Sequence, residues 1–260
     1  MLLMEKSISL TTDELAAVLA LCGFEDMATD VFNSKEVLMN QDLLGDYAQN
    51  IEASLKIKGF WDPERDSSVP EGLENLITLI AHSKKKVRFV SGQEVLFLHQ
   101  ASKSDVVAQY ISDGIHHFRL SSIESDIESE MKEFLHINAS SADPKLEQLL
   151  LTEEIFNQLH TINEEAHEQI LQSKVPDSLK RFLEDFKRNH YEFNNLSFLD
   201  SNFAQKELNV TSVMFYLIEN GYVWWLDYNK VEEDKIYVLP ISVKEFMSVI
   251  MDALNQYFKR

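Results

Sequence analysis

The chain has 260 residues, of which 24 are basic and 43 acidic, for a formal net charge of −19. That balance argues against a nucleic-acid partner, because such binding needs a basic stripe that releases counterions from phosphate. A hydrophobic content of 45% with only seven Gly and five Pro excludes a disordered chain, and the length is enough to bury a core.

The first residues, Met1-Leu-Leu-Met-Glu5, lack the basic leader and continuous apolar core of a secretory signal. No run approaches the roughly 20 apolar residues of a membrane-spanning helix, so the expected location is the cytoplasm. Leu10-Thr-Thr-Asp-Glu14 reads as a helix start. Thr11 and Glu14 have capping-box spacing, and Leu15, Val18, Leu19 and Cys22 form an apolar stripe that Gly23 ends. Cys22, the single cysteine, excludes an internal disulfide and reads as a buried thiol rather than a nucleophile. A long helix is expected over about 34–58, with Leu44, Tyr47, Ala48, Ile51 and Leu55 on one face and Gly59 at its C-cap. After a turn-rich loop, Pro70 begins a helix whose Leu73, Leu76, Ile77 and Ile80 face inward. Strands are expected at 87–90, 95–98, 106–111 and 115–120, with turns at Ser91-Gly92 and Asp113-Gly114. Lys84-Lys-Lys86 and Arg88 read as solvated charges at a strand edge. Ser121-Ser-Ile-Glu124 opens a helix, with Ile123, Ile127, Met131 and Phe134 inward, that closes near Leu135.

Asn138-Ala-Ser-Ser-Ala-Asp-Pro144 is a linker candidate, and the pattern then restarts. Leu151-Thr-Glu-Glu154 echoes Leu10-Thr-Thr-Asp13 and leads a helix carrying Ile155, Leu159, Ile162, Ala166 and Ile170. Val175-Pro-Asp-Ser178 opens another, with Leu179, Phe182, Leu183 and Phe186 inward. Residues 194–209 read as helical or irregular. A strand at 213–218, an Asn220-Gly221 turn, strands at 222–226 and 235–241, and a helix from Ser242 finish the chain. Helix-rich lead, strand cluster and closing helix thus occur twice, as after an ancient duplication. The expected fold is α+β, with pseudo-two-fold halves 1–137 and 145–260 sharing a central antiparallel or mixed sheet flanked by helices. The chain is then one domain over 1–260, with two small domains joined at the linker as the alternative.

The residues carry no catalytic signature. There is no Gly-x-Ser-x-Gly elbow, no Cys–His constellation and no glycine-rich phosphate loop. His160, Glu164 and His167 share one helical face, the geometry of a transition-metal site. Polar Asn163, Glu165 and Glu168 around them favour an exposed helix face instead. His116 and His117, adjacent in a strand, point to opposite faces. Glu124, Asp126, Glu128 and Glu130 have the spacing of a solvated helix face. Trp224 and Trp225 also face opposite ways, one into the core and the other towards a covering helix, solvent or a partner. No metal, cofactor or catalytic residue is expected, and the chain reads as a non-enzyme. The binding candidates are Gln100, Ser102, Lys103 and Asp105 in one loop, Asn229 and Val231 in another, and an apolar group of Phe198, Leu199 and Phe203 read as surface-exposed. The loop over 60–69 joins them.

Leu10-Thr-Thr-Asp-Glu-Leu15 resembles the opening of the EspG family, the cytosolic chaperones of type VII secretion systems. Residues 51–62, IEASLKIKGFWD, resemble that family's long helix ending in a Gly-aromatic turn and an Asp. The strand pairs over 95–122 and the two-fold repetition fit as well, so the resemblance spans nearly the whole chain. The acidity looks like the Firmicute, EsaE-like branch associated with secreted toxins. The resemblance implies a chaperone or adaptor that binds a helical secreted substrate, keeps it soluble and brings it to the secretion machinery. In the family the substrate's helical tip docks against a loop of the sheet and the C-terminal helical part. No site residue carries over by position, so the loop residues above are structural choices. The alternatives are an immunity protein whose negative charge neutralises a secreted toxin, and a metal enzyme built on His160 and His167.

Overall fold

The computed structural model describes residues 8–33, 41–137, 145–159, 164–219, 221–228 and 233–259, without the side chains of 33, 41–44, 164, 166 and 167. The expected linker at 138–144 and the start of the expected helix at 34–40 lie outside them. No helix among the described residues is long and apolar enough to cross a membrane.

Strand β1 (Ile8–Thr11) leads into helices α1 (Thr12–Leu21), α2 (Glu25–Asn33), α3 (Gln41–Lys58) and α4 (Glu71–His82). Strands β2 (Lys85–Ser91), β3 (Glu94–Gln100), β4 (Asp105–Ser112) and β5 (Ile115–Ser122) and helix α5 (Ile127–Phe134) follow. A matching succession comes next: β6 (Leu149–Leu151), then α6 (Glu153–Leu159), α7 (Glu164–Gln172) and α8 (Asp177–Arg188). Strands β7 (Asn194–Asn202), β8 (Glu207–Glu219), β9 (Tyr222–Asp227) and β10 (Ile236–Ser242) and helix α9 (Val243–Lys259) close the chain. The strands form a ten-stranded sheet in the order β1-β5-β4-β3-β2-β7-β8-β9-β10-β6. Each lead strand pairs antiparallel with the last strand of its own run, Ile8 opposite Phe118 and Leu151 opposite Ile236. The α+β class, with a large antiparallel sheet flanked by helices, is the one the sequence predicts.

The chain divides into two compact units. The first comprises Met1–Lys86, Glu94–Ser122 and Leu199–Asn209. Its α1 begins with the expected capping box: Thr11 Oγ1 accepts from Glu14 N at 3.2 Å, and Glu14 Oε2 accepts from Thr11 N at 2.8 Å. Glu14 is buried and also accepts from Ser54 Oγ and Lys58 Nζ, each at 2.6 Å, so one carboxylate fastens α1 to α3. Burial raises its pKa, but the bonds from Lys58, Ser54 and Thr11 outweigh burial and leave it lowered. Leu10, Val18, Leu55, Leu73, Ile77 and Phe118 form the core beneath. Asp113 (φ 50°) and Gly114 (φ 71°) both take the left-handed conformation of a two-residue hairpin turn. The Gly114 carbonyl then accepts from Thr12 N at 2.9 Å and anchors the first turn of α1.

The second unit comprises Val87–Gln93, Ile123–Phe198 and Val210–Arg260. The apolar stripe of α8 packs Phe182 edge-on against Trp224 (5.4 Å between centroids) and stacks Phe186 on Phe193 (4.6 Å). The next residue along β9, Trp225, meets Phe246 of α9 at 6.0 Å, and Phe246 also lies 4.9 Å from Tyr216. Trp224 is therefore buried under α8, and half-buried Trp225 packs on α9.

Five expectations change. Residues 194–202 form strand β7, not helix or loop, and β8 starts at Glu207, well before Val213. The Leu196-Ser-Phe-Leu199 run is buried on both faces, which erases the alternation that marks a strand. Ser121 and Ser122 still pair with Val106 and Asp105 in the sheet, so α5 starts only at Ile127. Helix α2 goes unforeseen, although Met27, Ala28, Val31 and Phe32 carry the spacing of one helical face. On α6, Ile155 is exposed and Phe156 packs inward. Finally, β2 is an interior strand rather than an edge, and half-buried Lys86 has its pKa lowered by desolvation.

Replacing Thr11 by Ala should cost about 1 kcal/mol in urea unfolding at pH 7. The folded pKa of Glu14 lies below its unfolded value, so its stabilisation is complete above the unfolded pKa and is lost as pH falls through the folded one. Glu14→Gln should therefore destabilise at pH 7 and much less at pH 3; equal losses at both would refute the assignment.

Candidate partner-binding surface

Of the four β3–β4 candidates, Ser102 and Asp105 close a turn with Ala101 and Ser104. Asp105 Oδ2 accepts from Ser102 Oγ (2.6 Å) and Ser104 Oγ (2.8 Å), and the amides of Ala101 and Ser102 donate to the Asp105 carbonyl. These two serine bonds lower the Asp105 pKa against a small opposing burial effect. Ser102 and Lys103 are exposed, whereas Gln100 is half-buried with its carbonyl taken by Ser83 Oγ at 3.2 Å. The apolar trio separates. Phe198 and Leu199 are buried in β7, and Phe198 packs on Tyr257 at 5.0 Å. This corrects the surface-exposed reading of the pair. Phe203 remains exposed, edge-on to Phe24 (5.5 Å) and His82 (4.7 Å), beside an ion pair of Lys206 with Asp26. Asn229, Val231, His160 and the side chains of Glu164 and His167 lie outside the described residues.

Buried polar groups missed by the sequence form two bonded networks. In the first unit, Gln109 Nε2 donates to His116 Nδ1 (2.9 Å), and His116 Nε2–H donates to Thr12 Oγ1 (3.1 Å). Thr12 Oγ1 donates in turn to the Gly114 carbonyl at 3.1 Å. At the other end Gln109 Oε1 accepts from His99 Nε2–H at 2.8 Å, so every tautomer follows from its neighbour. Burial, then the charge of Lys86, pushes the His99 pKa down to about 3 against the opposing Gln109 bond, which keeps the ring neutral. As expected, His116 is buried while His117 is exposed.

In the second unit, Asp185 of α8 is 0% exposed. It accepts from Trp224 Nε1 (2.8 Å) and Tyr222 Oη (2.5 Å), with Arg188 bonded to its other oxygen and Arg181 Nε 3.2 Å away. Arg188 also reaches Glu219 at 2.6 Å. The buried charge is thus compensated by two guanidinium groups and two neutral donors. In half-buried Cys22, burial and then the charge of Glu74 against that of Arg65 raise the thiol to about 11. Among the described residues no group of three or more His, Cys, Asp or Glu is placed to hold a metal ion.

The first unit carries an apolar trough of about 560 Å³ walled by α1, α2 and α3. Its floor is low because Ala16, Ala17 and Ala20 of α1, Ala28 of α2 and Ala48 of α3 leave the space a larger side chain would fill. Phe32 and Tyr47 meet edge-on at 6.2 Å along it, and Ile51 and Trp61 add apolar wall. Lys56 sits 5.3 Å from the centre of the Trp61 ring. The predicted α3 face, from Tyr47 to Leu55, is thus part core and part open groove.

No protein-family model matches the sequence, and no curated protein is similar to it. At the level of structure, the chain is similar to one in the solved Mycobacterium tuberculosis structure of the type VII secretion system chaperone EspG5 in complex with the PE25–PPE41 dimer. The match has a TM-score of 0.58 at 9% identity and covers 97% of this chain and 96% of the other. The fold is therefore shared end to end.

Asp185→Ala should destabilise by about 3 kcal/mol or more, since it strands two buried donors and two cations; a loss under about 1 kcal/mol in urea melts would contradict the network. For His99 the folded pKa lies below the unfolded 6.5. Its contribution is therefore full above about pH 6.5 and declines as pH falls, by up to about 1.4 kcal/mol per unit. His99→Gln should flatten the fall in stability between pH 6.5 and 4.5, and an unchanged slope would refute it.

Proposed function

We propose that this chain is a non-enzymatic chaperone or adaptor of a type VII secretion system. It binds a helical secreted substrate in the cytoplasm, keeps it soluble and presents it for export. The observation that carries this reading is the similarity to the EspG5 complex across 97% of this chain and 96% of the other. A match limited to a few strands would support only a common sheet; this one includes both runs of helices. The buried polar groups support the reading too, since Asp185, Glu14 and His99 are each bonded into the packing of the fold. The acidic composition supports the EsaE-like branch and a substrate that is a toxin or its helical partner.

Co-expression with the helical proteins encoded beside it should give a 1:1 complex in size-exclusion chromatography. Absence of any co-eluting neighbour would sink the chaperone reading. Protection of cells against a neighbouring toxin's catalytic domain alone would favour the immunity role instead. Protection that requires the toxin's secretion region would favour the chaperone.

A further inference from the structure

We infer that the α1–α2–α3 trough is a docking groove for an amphipathic helix that carries basic residues beside its apolar stripe. The inference rests on the chaperone reading and adds the surface and the chemistry of what it holds. Shape comes first. Packed helices lie about 8–10 Å apart between axes, at the short end where small residues let the backbones approach. The five alanines of α1, α2 and α3 provide that approach along the trough, while Phe32, Tyr47, Ile51 and Trp61 offer apolar area to an incoming stripe. Helix-in-groove recognition works in this way, through anchors at i, i+3, i+4 and i+7.

Charge selects the partner. The lining includes three carboxylates, Asp13, Glu25 and Glu52, and no basic side chain. Asp13 accepts the Tyr47 hydroxyl, whose pKa is raised first by burial and then by that bond. Glu52 is paired with Lys56 at 2.5 Å on the same helix, which leaves Glu25 exposed at the opposite wall. Asp30 follows on α2 and adds negative charge beyond the rim, while Asp26 between them is paired with Lys206. An acidic helix would meet repulsion from both sides, and a neutral one would leave these charges uncompensated. A stripe of Leu or Phe flanked by Lys or Arg fits both floor and rim.

The test uses the full chain and three fluorescein-labelled 18-residue peptides: a Leu stripe with Lys flanks, the same stripe with Glu flanks, and a scramble of the first. Fluorescence anisotropy at low salt should show binding of the Lys-flanked helix at least tenfold tighter than either control. Raising salt to 0.5 M should weaken it, because exposed charges are then screened. Ala48→Trp and Ala20→Trp fill the trough from exposed positions on different helices, and each should weaken the Lys-flanked peptide at least tenfold with an unchanged circular dichroism spectrum. Glu25→Lys should do the same at low salt only. Equal binding of all three peptides, no binding, or binding that ignores both tryptophan variants overturns the inference. The two readings separate with an encoded partner. A partner that co-elutes equally with wild type and both tryptophan variants removes the trough and leaves the chaperone standing. A wild type with no partner removes the chaperone, and the peptide result alone then decides the trough.

Discussion

Consecutive residues of a strand point to opposite faces, and β9 places Trp224 and Trp225 side by side. Neither ring can be left to water without a large cost, so this strand demands a helix on each of its faces. Helix α8 answers on one side with Phe182, and α9 answers on the other with Phe246. The indole N–H of Trp224 also needs an acceptor once buried, and Asp185 supplies it. A buried carboxylate in turn needs compensation, which brings in Tyr222, Arg181 and Arg188. The organisation of the second unit follows from that one pair of residues.

The first unit obeys a similar rule with different groups. Burying the N-terminus of α1 against the sheet requires acceptors for its first amides, and Thr11, Glu14 and the Gly114 carbonyl fill that role. Glu14, now buried, is compensated by Ser54 and Lys58 of α3. Asp185, Glu14 and the His99–Gln109–His116 set are thus each held by bonds to neighbours.

The strand runs, the capping box at Thr11 and the Pro70 and Pro176 helix starts were legible because each is a local signal: alternation, a short-range bond or a fixed φ. Residues 194–202 were not, since a strand covered on both faces loses its period and its asparagines mimic a loop. Asp185 looked like one acid among forty-three. Its role depends on Trp224, 39 positions away, and no periodicity reports such a pairing. The histidines show the same limit in smaller form. Opposite facing of His116 and His117 follows from the strand, while the chain from His99 through Gln109 to Thr12 exists only once β3, β4 and β5 are aligned. The surface residues fared worst. Phe198 and Leu199 carry the composition of an exposed apolar group, and burial is a property of what lies above them.

The open trough raises a question of solubility that the composition answers. An uncovered apolar groove lined by Ile51, Phe32 and Trp61 invites self-association. A formal charge of −19 opposes it, because two copies approaching groove to groove bring like fields together. On the proposal above, the same field draws in a basic helix. In the proposed groove acidity and exposed apolar surface act together: the charge rejects copies of the chain and selects a cationic helix, and the apolar floor rewards that helix's stripe. On this account, neutralising the acidic rim removes the advantage of the Lys-flanked helix and leaves only the weaker, unselective affinity of the apolar floor.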